Sequence, residues 1–501
     1  MSVPVLVVGA GPAGLTTAIT LARHGVEVVV AERRGALSGL PRAASVSTRT
    51  MELLRSWGLE DEIRAGGVEV EWKQWVGPTL TAIGAAHPTS FPTREQSAVL
   101  SPTAPASVPQ DHLEPVMLRH LRSFEVARVE LGTEVVALHH GPSGVEVTLR
   151  EVATGQTRSV HARYLVAADG ARSTVRHALE IGMRGPGRLS HAVATEFRAP
   201  LWELLGSRRY CIYAVTDPDA AGVFVPAGSG DRWVYGLEQE LEETWPSVEL
   251  TEEQAARRIR LGSGLADLRP RIDRIGTFTF ASRLADRFRE GAAFLVGDAA
   301  HQITPRGGTG MNTAIQSAHD LGWKLAWVLR GWAGSQLLDT YETERRPVAA
   351  HNVARSADPR GGTRLAAQEL PVDLGGRIPH VWLPAELGAV STLDLLGPGL
   401  TLFTAGPDWR RAPTEAPGPP FAVHDLDPIT ARGLGISNGG ALLARPDGAP
   451  VGLWSNGVDL TAALREAIRT ISAGITRTRG RFPARRAEEL AESVVARGRS
   501  S

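Results

Sequence analysis

Hydrophobic residues near the N-terminus form a short continuous run, and after a glycine-rich turn they continue at helical spacing. Residues 3–8 are apolar, residues 13–25 have the pattern of a buried helix, and a second mostly apolar run at 26–31 ends at Glu32. Short apolar runs around a helix are typical of parallel strands that are covered on both faces. The pattern predicts a strand–helix–strand unit, one half of a dinucleotide-binding fold.

The uncharged stretch 4–22 is nearly as long as a membrane span. Its three glycines and Pro12 divide it into a strand and a helix that starts at a turn, and no cationic segment precedes it. We therefore expect no membrane segment here and a cytoplasmic protein.

The middle of the chain alternates between strand patterns and turns. Residues 71–107 are predicted to be loop and irregular strand, 188–280 a mixed sheet, 114–123 a helix and 310–331 a long helix. Strands are predicted at 126–131, 134–139, 145–150, 158–161, 164–168 and 292–296.

From about residue 376 the pattern changes to short strands separated by Gly and Pro turns. Strands are predicted at 400–403, 421–424 and 441–444, and an amphipathic helix at 460–471. The final segment, 475–501, has seven arginines and few aromatic residues, so we expect a disordered or loosely helical tail.

Composition narrows the possible functions of a 501-residue chain. The 54 basic and 54 acidic side chains balance, so the overall charge does not indicate nucleic-acid binding. Cys211 is the only cysteine, which excludes a disulfide framework and a thiolate zinc site within one chain. Any redox chemistry must therefore come from a cofactor.

The motif at residues 9–14 is GxGxxG, directly after a strand and directly before a helix, and Glu32 follows 18 residues after Gly14. Gly9 permits the tight turn, Gly11 allows the backbone to approach a pyrophosphate, and Gly14 lets the helix pack on the strand. The free N–H groups of the helix start can bind phosphate, and Glu32 can bind a ribose diol. This motif predicts an adenine dinucleotide but does not decide between NAD and FAD.

Two later segments suit a flavin. The buried strand at 292–296 leads to Gly297 and Asp298, and the glycine-rich turn at 307–312 opens the long predicted helix. Asp298 can bind the hydroxyl groups of a ribityl chain, and the N–H groups near Gly310 can face the electron-rich pyrimidine edge of a flavin. These segments favour FAD.

With these motifs the sequence resembles the class A flavoprotein monooxygenases, the aromatic hydroxylases of the p-hydroxybenzoate hydroxylase fold. Members share an N-terminal GxGxxG, a central Asp-Gly and a late Gly-Asp motif, which occur here in that order at 9–14, 169–170 and 297–298. The central motif runs from 166 to 176, and the resemblance covers about residues 1–474.

The resemblance implies noncovalent FAD, with NADPH or NADH as cosubstrate whose phosphates contact Arg172 and Arg176. Pro305 is expected to act only through its position beside flavin and substrate, and no metal ligand is expected. From the motifs and the resemblance together, the expected cofactor-binding residues are Gly9, Gly11, Ala13, Gly14, Glu32, Arg33, Arg42, Gln110, Asp169, Asp298, Pro305, Gly308, Gly310, Met311 and Asn312.

The sequence departs from the family pattern in and after the late glycine-rich turn. Ser317 and Asp320 stand where the family commonly has aspartate and asparagine, and Thr309 fills the variable position of the turn. These departures concern how the start of the last FAD helix is held. His301, in an Ala-Ala-His triplet, is expected to be a local hydrogen-bonding residue rather than a catalytic one.

The C-terminal block at 376–448 resembles the thioredoxin-like third domain of phenol hydroxylase and of actinomycete polyketide hydroxylases. Because Cys211 lies outside it, we expect packing or dimerisation there rather than dithiol chemistry. The expected fold class is mixed α/β, with a Rossmann-like FAD-binding domain, an inserted mixed-sheet substrate domain and this third domain. The predicted boundaries are 1–70, 97–187 and 281–375 for the FAD domain, 71–96 and 188–280 for the substrate domain, and 376–474 for the third.

The resemblance implies an FAD-dependent, NAD(P)H-consuming monooxygenase that hydroxylates a polycyclic aromatic polyketide or related phenol through a flavin C4a-hydroperoxide, in secondary metabolism. A Baeyer–Villiger or epoxidising enzyme on the same scaffold stays open, as does a non-catalytic flavin-binding protein. The expected partners are O₂ and a small aromatic substrate, in a monomer or homodimer. Aromatic residues in the substrate segments are expected to line the cavity, namely Trp72, Trp75, Phe224, Trp233 and Tyr235.

Overall fold

The secondary structure follows the hydrophobic pattern over most of the chain. The computed structural model describes residues 2–141, 143–240, 250–385, 388–406, 409, 418–455 and 458–474, so the predicted tail at 475–501 lies outside the described residues. The helices are α1 (Pro12–Arg23), α2 (Thr48–Ser56), α3 (Glu60–Ala65), α4 (Arg94–Leu100), α5 (Gln110–Arg122), α6 (Thr174–Ala178), α7 (Leu201–Leu205), α8 (Glu252–Ser263), α9 (Gly310–Leu329), α10 (Asp339–Ala357), α11 (Ala366–Leu374), α12 (Pro428–Gly433) and α13 (Leu460–Ser472). Short 3₁₀ helices occur at Gly297–Ala299, Ser335–Leu338 and Gly361–Thr363.

The strands form one large sheet, one seven-stranded sheet, one four-stranded sheet and smaller pairings. In chain order they are β1 (Ser2–Val8), β2 (Val28–Glu32), β3 (Ser45–Val46), β4 (Glu71–Gly77), β5 (Ala85–Pro88), β6 (Ala106–Ser107), β7 (Ala127–Leu131), β8 (Thr133–Gly141), β9 (Gly144–Glu151), β10 (Thr157–Ala167), β11 (Met183–Arg184), β12 (Ser190–Arg198), β13 (Tyr210–Val215), β14 (Gly222–Pro226), β15 (Arg232–Glu240), β16 (Arg271–Phe280), β17 (Arg283–Ala285), β18 (Arg289–Glu290), β19 (Ala293–Leu295), β20 (His301–Gln302), β21 (Trp382–Ala385), β22 (Gly388–Ser391), β23 (Leu400–Thr404), β24 (Phe421–Asp425), β25 (Ala441–Ala444) and β26 (Pro450–Trp454).

The large sheet has a parallel centre in the order β19-β10-β1-β2-β7. Strand β1 is the middle of this order, and its Leu6 is paired with Leu165 on one side and Val29 on the other. Its apolar side chains are buried on both faces, as the continuous hydrophobic run predicted. Because the strands are parallel, their carboxyl ends meet at one edge, which brings Gly9, Glu32, Asp169 and Asp298 to the same edge of the sheet.

Several boundaries differ from those predicted. The strands predicted at 158–161 and 164–168 form one continuous strand, β10, which ends at Ala167. The segment 71–107 contains the regular elements β4, β5, β6 and α4 rather than loop and irregular strand alone. Helix α4 starts at a capping box in which Thr93 and Gln96 each bind the other's backbone N–H. Helix α5 starts at Gln110, four residues before the predicted position, with Pro115 inside it.

The seven-stranded sheet has the order β16-β12-β15-β14-β13-β4-β5. All its pairs are antiparallel except β13 with β4, which confirms the mixed sheet predicted in this part of the chain. The sheet therefore joins strands from two separate segments, 71–88 and 190–280.

The C-terminal sheet has the order β24-β23-β25-β26. A parallel pair, β23 with β24, is extended by the antiparallel hairpin of β25 and β26, which is the arrangement of a thioredoxin-like sheet. Leu402 and Leu443 on one face belong to the same buried cluster as the core of the large sheet. The block is thus packed firmly against the rest of the chain, while the exact domain boundaries stay a prediction.

Ion pairs cross this contact. Lys324 of α9 donates to Asp320 at 2.8 Å and to Glu344 of α10 at 2.9 Å, and Arg445 of the C-terminal block binds Glu344 at 2.8 Å and Asp447 at 2.6 Å. Asp320, at one of the positions that depart from the family pattern, is therefore part of a network that links α9 and α10 to the C-terminal block. Among the described residues, no helix has the length and apolar character needed to cross a bilayer.

Candidate active site

The glycine turn between β1 and α1 is shaped by close backbone contacts. Gly9 has a φ of +103°, and a Cβ there would lie 2.4 Å from the carbonyl oxygen of Ala168; a Cβ on Gly14 would lie 1.9 Å from the carbonyl oxygen of Gly9. A Cβ on Gly11, in contrast, would meet no atom within 4 Å. The turn therefore packs tightly on the sheet while its middle glycine faces open space, and no side chain caps the start of α1. Its N–H groups remain available to an anion.

Glu32, at the end of β2, lies beside this turn. Its Oε2 accepts the N–H of Ala10 at 2.9 Å, and its Oε1 accepts the N–H of Arg34 at 3.0 Å. These two bonds fix the carboxylate at the edge of the cavity described below. This position suits the predicted contact with a ribose diol.

Asp298 follows β19 within the short 3₁₀ helix, and its side chain opens into the same cavity. The surrounding protein raises the pKa of Asp298 to about 6 by burial, and the positive charge of Arg42 opposes that increase. Its carboxylate accepts no hydrogen bond from the described residues. Hydroxyl groups of a bound molecule would supply the hydrogen-bond donors that the described residues do not provide.

Asp169 is held more firmly, at the end of β10. Its Oδ2 accepts the N–H of Val175 at 3.1 Å, and burial raises its pKa. Its Oδ1 is buried without a hydrogen-bond partner among the described residues. A buried polar atom of this kind indicates a missing donor.

One cavity of about 820 Å³ joins these groups. A cavity of this size that is lined by the glycine turn and by several polar groups without partners fits an adenine dinucleotide. The predicted cofactor and cosubstrate residues that line it are Gly9, Gly11, Ala13, Glu32, Arg33, Arg42, Gln110, Asp169, Arg172, Asp298, Pro305, Gly308, Gly310 and Met311.

Three predicted residues lie behind the cavity wall instead. Gly14 serves the helix packing described above, and Asn312 holds the late glycine-rich turn. The Oδ1 atom of Asn312 accepts the N–H of Ser47 at 2.8 Å, and its Nδ2 donates to the carbonyl oxygens of Ser45 and Gly308 at 2.9 and 2.8 Å. Asn312 therefore braces the turn at the start of α9 from behind.

Arg176 is the third of these residues and requires a correction. Its side chain is buried, and its guanidinium donates to the carbonyl oxygens of Ala171 and Ala299 at 3.3 Å. It does not line the cavity, so the structure gives it a supporting contact between two loops rather than contact with a cosubstrate. Arg172 is exposed and lines the cavity, as a cosubstrate contact requires.

Four of the five aromatic residues predicted to line the substrate cavity, all but Trp72, lie on the opposite face of their sheet. Trp75 pairs with Tyr213, Tyr213 with Phe224, and Phe224 with Tyr235 across neighbouring strands. These side chains and Trp233 are buried in a separate core beneath the sheet. The prediction was wrong because successive residues of a strand point to opposite faces, and the largest rings fill the core.

Smaller side chains on the other face form the cavity wall. Gln74 pairs with Ile212, and the cavity-lining Val223 and Val225 belong to the same side of the sheet. Trp72 also lies outside the lining, but its ring stacks at 4.4 Å on Phe91, which does line the cavity. Phe91 is thus an aromatic wall residue that the sequence pattern did not reveal.

Glu114 is a further group that the sequence analysis missed. It lines the cavity from α5, accepts a hydrogen bond from Gln110 Nε2 at 2.7 Å, and has its pKa raised to about 6 by burial. Its spacing of four residues from Gln110 on one helix was visible in the sequence.

His301 was expected to make local hydrogen bonds, and this is wrong. Both ring nitrogens are buried without a partner among the described residues, and burial lowers the pKa of His301 to about 3. It is a neutral residue packed beside Phe288 and does not line the cavity.

At the remaining departures from the family pattern, Ser317 accepts a hydrogen bond from Arg345 at 3.2 Å, and the Thr309 hydroxyl has no partner among the described residues.

Known proteins share this arrangement. A family model described as FAD binding domain matches residues 2–356. Tetracenomycin A2 monooxygenase-dioxygenase from Streptomyces glaucescens is 35% identical, and the match covers 95% of this chain and 98% of that protein. Aklavinone 12-hydroxylase RdmE from Streptomyces purpurascens is 34% identical, with 89% and 94% of the two chains covered.

Solved structures agree with these matches. The crystal structure of a ternary complex of aklavinone-11 hydroxylase with FAD and aklavinone has a TM-score of 0.84 at 31% identity, covering 94% of this chain and 99% of that chain. The flavin-dependent monooxygenase PieE, in complex with FAD and substrate, has a TM-score of 0.86 at 26% identity, with 95% and 99% covered. The likeness extends over all three sheets rather than over the dinucleotide unit alone.

Proposed function

Because the chain belongs to the FAD-binding domain family and is a flavoprotein monooxygenase, we propose that it hydroxylates a polycyclic aromatic polyketide or a related phenol. FAD is its cofactor, and NAD(P)H is the reductant typical of its family. The relatives that act on tetracenomycin A2 and aklavinone support this substrate class. We further propose the cytoplasm as its location and the three predicted domains as its organisation.

The observation that carries the proposal is the continuity of the cavity. It extends from the glycine turn at Gly11, past Asp298 and Pro305, to the apolar wall formed by Ile212 and Val225. A cofactor held by the polar residues and an aromatic molecule held by the apolar residues would therefore share one cavity. Fused rings gain more binding free energy from such a wall than a single ring does, because the hydrophobic contribution scales with the apolar area buried.

The cofactor, when bound and reduced by NAD(P)H, supplies the activation of O₂ from which one oxygen atom is transferred to the substrate. The chain's own residues would bind and orient the cofactor. The start of α1 would hold the diphosphate, Glu32 a ribose and Asp298 the ribityl hydroxyls. The turn at 305–310, which Asn312 braces through Gly308, would position the flavin ring.

The remaining requirement is to exclude water from the reacting groups. Ile212, Val223 and Val225 offer no hydrogen bonds to solvent, and Phe91 closes the wall beside them. Arg172 is exposed and lines the cavity, which supports the proposal that it binds a phosphate of the reductant by a charge-assisted hydrogen bond.

The proposal is tested with purified protein. We expect FAD in the supernatant after heat release, and NAD(P)H oxidation that a tetracyclic phenol stimulates more than hydroxybenzoates do. Stimulation by small benzoates alone would contradict the substrate class. A ring-expanded lactone as product would assign the enzyme to Baeyer–Villiger oxidation instead.

A further inference from the structure

An ion pair interrupts the apolar wall of the substrate end of the cavity. Arg306 directly follows Pro305, and its Nη2 donates to Oε1 of Glu238, near the end of β15. Both residues line the cavity, with 37% of the Glu238 side chain and 20% of the Arg306 side chain exposed. The pair therefore places two charges where the neighbouring wall residues are aliphatic.

Both members are held in position by further contacts. Ser190 Oγ donates to the same Oε1 of Glu238 at 2.6 Å. The guanidinium of Arg306 lies 5.6 Å from the centre of the Phe280 ring, and its Nη1 donates to the carbonyl oxygen of Ala357 at 3.4 Å. The pair is thus a fixed feature of the wall rather than a surface contact with free rotation.

These contacts leave hydrogen-bonding capacity on both residues. Glu238 Oε2 accepts no bond from the described residues, and the Nε–H of Arg306 donates none within that part of the chain. An unused acceptor and an unused donor therefore belong to one ion pair in the cavity lining. The matching ligand must offer a donor beside an acceptor.

We propose that the Glu238–Arg306 pair selects aromatic substrates in which a ring hydroxyl lies next to a ring carbonyl. The hydroxyl donates to Glu238, and the carbonyl oxygen accepts from Arg306. A substrate lacking either group leaves a charged partner without its hydrogen bond, which lowers its affinity. A carboxylate in the same place is repelled by the negative charge of Glu238, so the binding of small benzoates is disfavoured. This inference rests on the proposed function and adds to it the recognition element of the substrate.

The test measures ligand binding to the oxidised FAD-loaded protein, from the change in the visible flavin spectrum. We compare 1-hydroxyanthraquinone, which has the adjacent hydroxyl and carbonyl, with 1-hydroxyanthracene, which lacks the carbonyl. The wild type is expected to bind the quinone about 10- to 150-fold more tightly, the range for a charge-assisted hydrogen bond. Glu238→Gln and Arg306→Lys should each reduce this preference about tenfold while FAD content is unchanged.

Asp273→Asn is the matched control, because its pair with Arg198 lies on the same sheet outside the cavity lining. It should keep the wild-type preference. Equal binding of the two ligands by the wild type, binding of neither, or an unchanged preference in both variants would overturn the inference. Because the assay needs no turnover, these results are distinct from a failure of the proposed function, which would appear as absent NAD(P)H oxidation with every phenol.

Discussion

Replacing Asp298 by alanine tests the predicted ribityl contact directly. The carboxylate opens into the cavity and receives no hydrogen bond from the described residues, so its removal breaks no such contact within the protein. Its pKa of about 6 means that at pH 8 the group is almost entirely ionised. The variant should therefore fold normally and lose affinity for FAD.

The expected size of this loss follows from the charge of the acceptor. Hydrogen bonds to a charged group contribute about 1.5–3 kcal/mol, which corresponds to a roughly 10- to 150-fold increase in the Kd of FAD. The Kd is measured at pH 8 by titrating apoprotein with FAD and following the quenching of flavin fluorescence. Asp298→Asn, which keeps a hydrogen-bond acceptor without the charge, should lose less FAD affinity than Asp298→Ala does.

Asp267→Ala removes an exposed carboxylate outside the cavity and serves as the matched control. Its FAD affinity should equal that of the wild type. If folded Asp298→Ala binds FAD as tightly as this control does, Asp298 does not contact the cofactor and the reasoning is refuted.

Three further predictions concern neighbouring groups. Arg172→Ala should slow reduction of bound FAD by NAD(P)H about tenfold in stopped-flow measurements. Arg176→Ala should instead lower the unfolding free energy by about 1–3 kcal/mol, because it leaves the buried carbonyl oxygen of Ala299 unpaired; equal slowing of reduction in both variants would contradict this division. Glu114, whose pKa rises from 4.5 to about 6 on folding, binds more protons in the native state between these values, so its contribution to the stability of the apoprotein falls by about 2 kcal/mol as the pH rises through that window. Glu114→Gln should remove this part of the pH dependence in denaturant unfolding at pH 4 and 7.5, and an identical pH dependence in both proteins would refute the assignment. Trp233→Ala should lower the free energy of unfolding by about 3–5 kcal/mol, because it truncates a core side chain, whereas Val225→Ala should mainly raise the KM of the aromatic substrate. The reverse pattern would mean that the two faces of the sheet are wrongly assigned.

The polar end of the site could be predicted from the sequence because its residues are tied to the ends of strands. Gly9, Glu32, Asp169 and Asp298 each follow a continuous apolar run, and parallel strands bring such ends together. Local patterns therefore sufficed to place four groups that are up to 289 residues apart in the chain.

The apolar end could not be predicted in the same way. The alternation of side chains along β14 and β15 separates two faces but does not say which face meets the cavity. The larger aromatic side chains suggested a binding wall, yet they fill a core, and Val223 and Val225 line the cavity instead. That choice depends on which other elements cover the sheet, and no local pattern encodes it.

Long-range contacts explain the remaining differences. Arg176 appeared free to bind a phosphate until the structure placed Ala299 beside it, 123 residues away. Asn312 likewise contacts Ser47 across 265 residues. Arginine and asparagine can each bind a ligand or brace a loop, so only the tertiary structure distinguishes these two roles.

The central claim is that one cavity holds FAD and an aromatic substrate so that a single oxygen atom passes from O₂ to the ring. The most direct measurement is the mass of the product formed under ¹⁸O₂ with NAD(P)H and a tetracyclic phenol. We expect a hydroxylated product that is heavier by one ¹⁸O atom and that is absent without NAD(P)H. Oxidation of NAD(P)H with the phenol recovered unchanged, or a product whose new oxygen comes from water, would contradict the account.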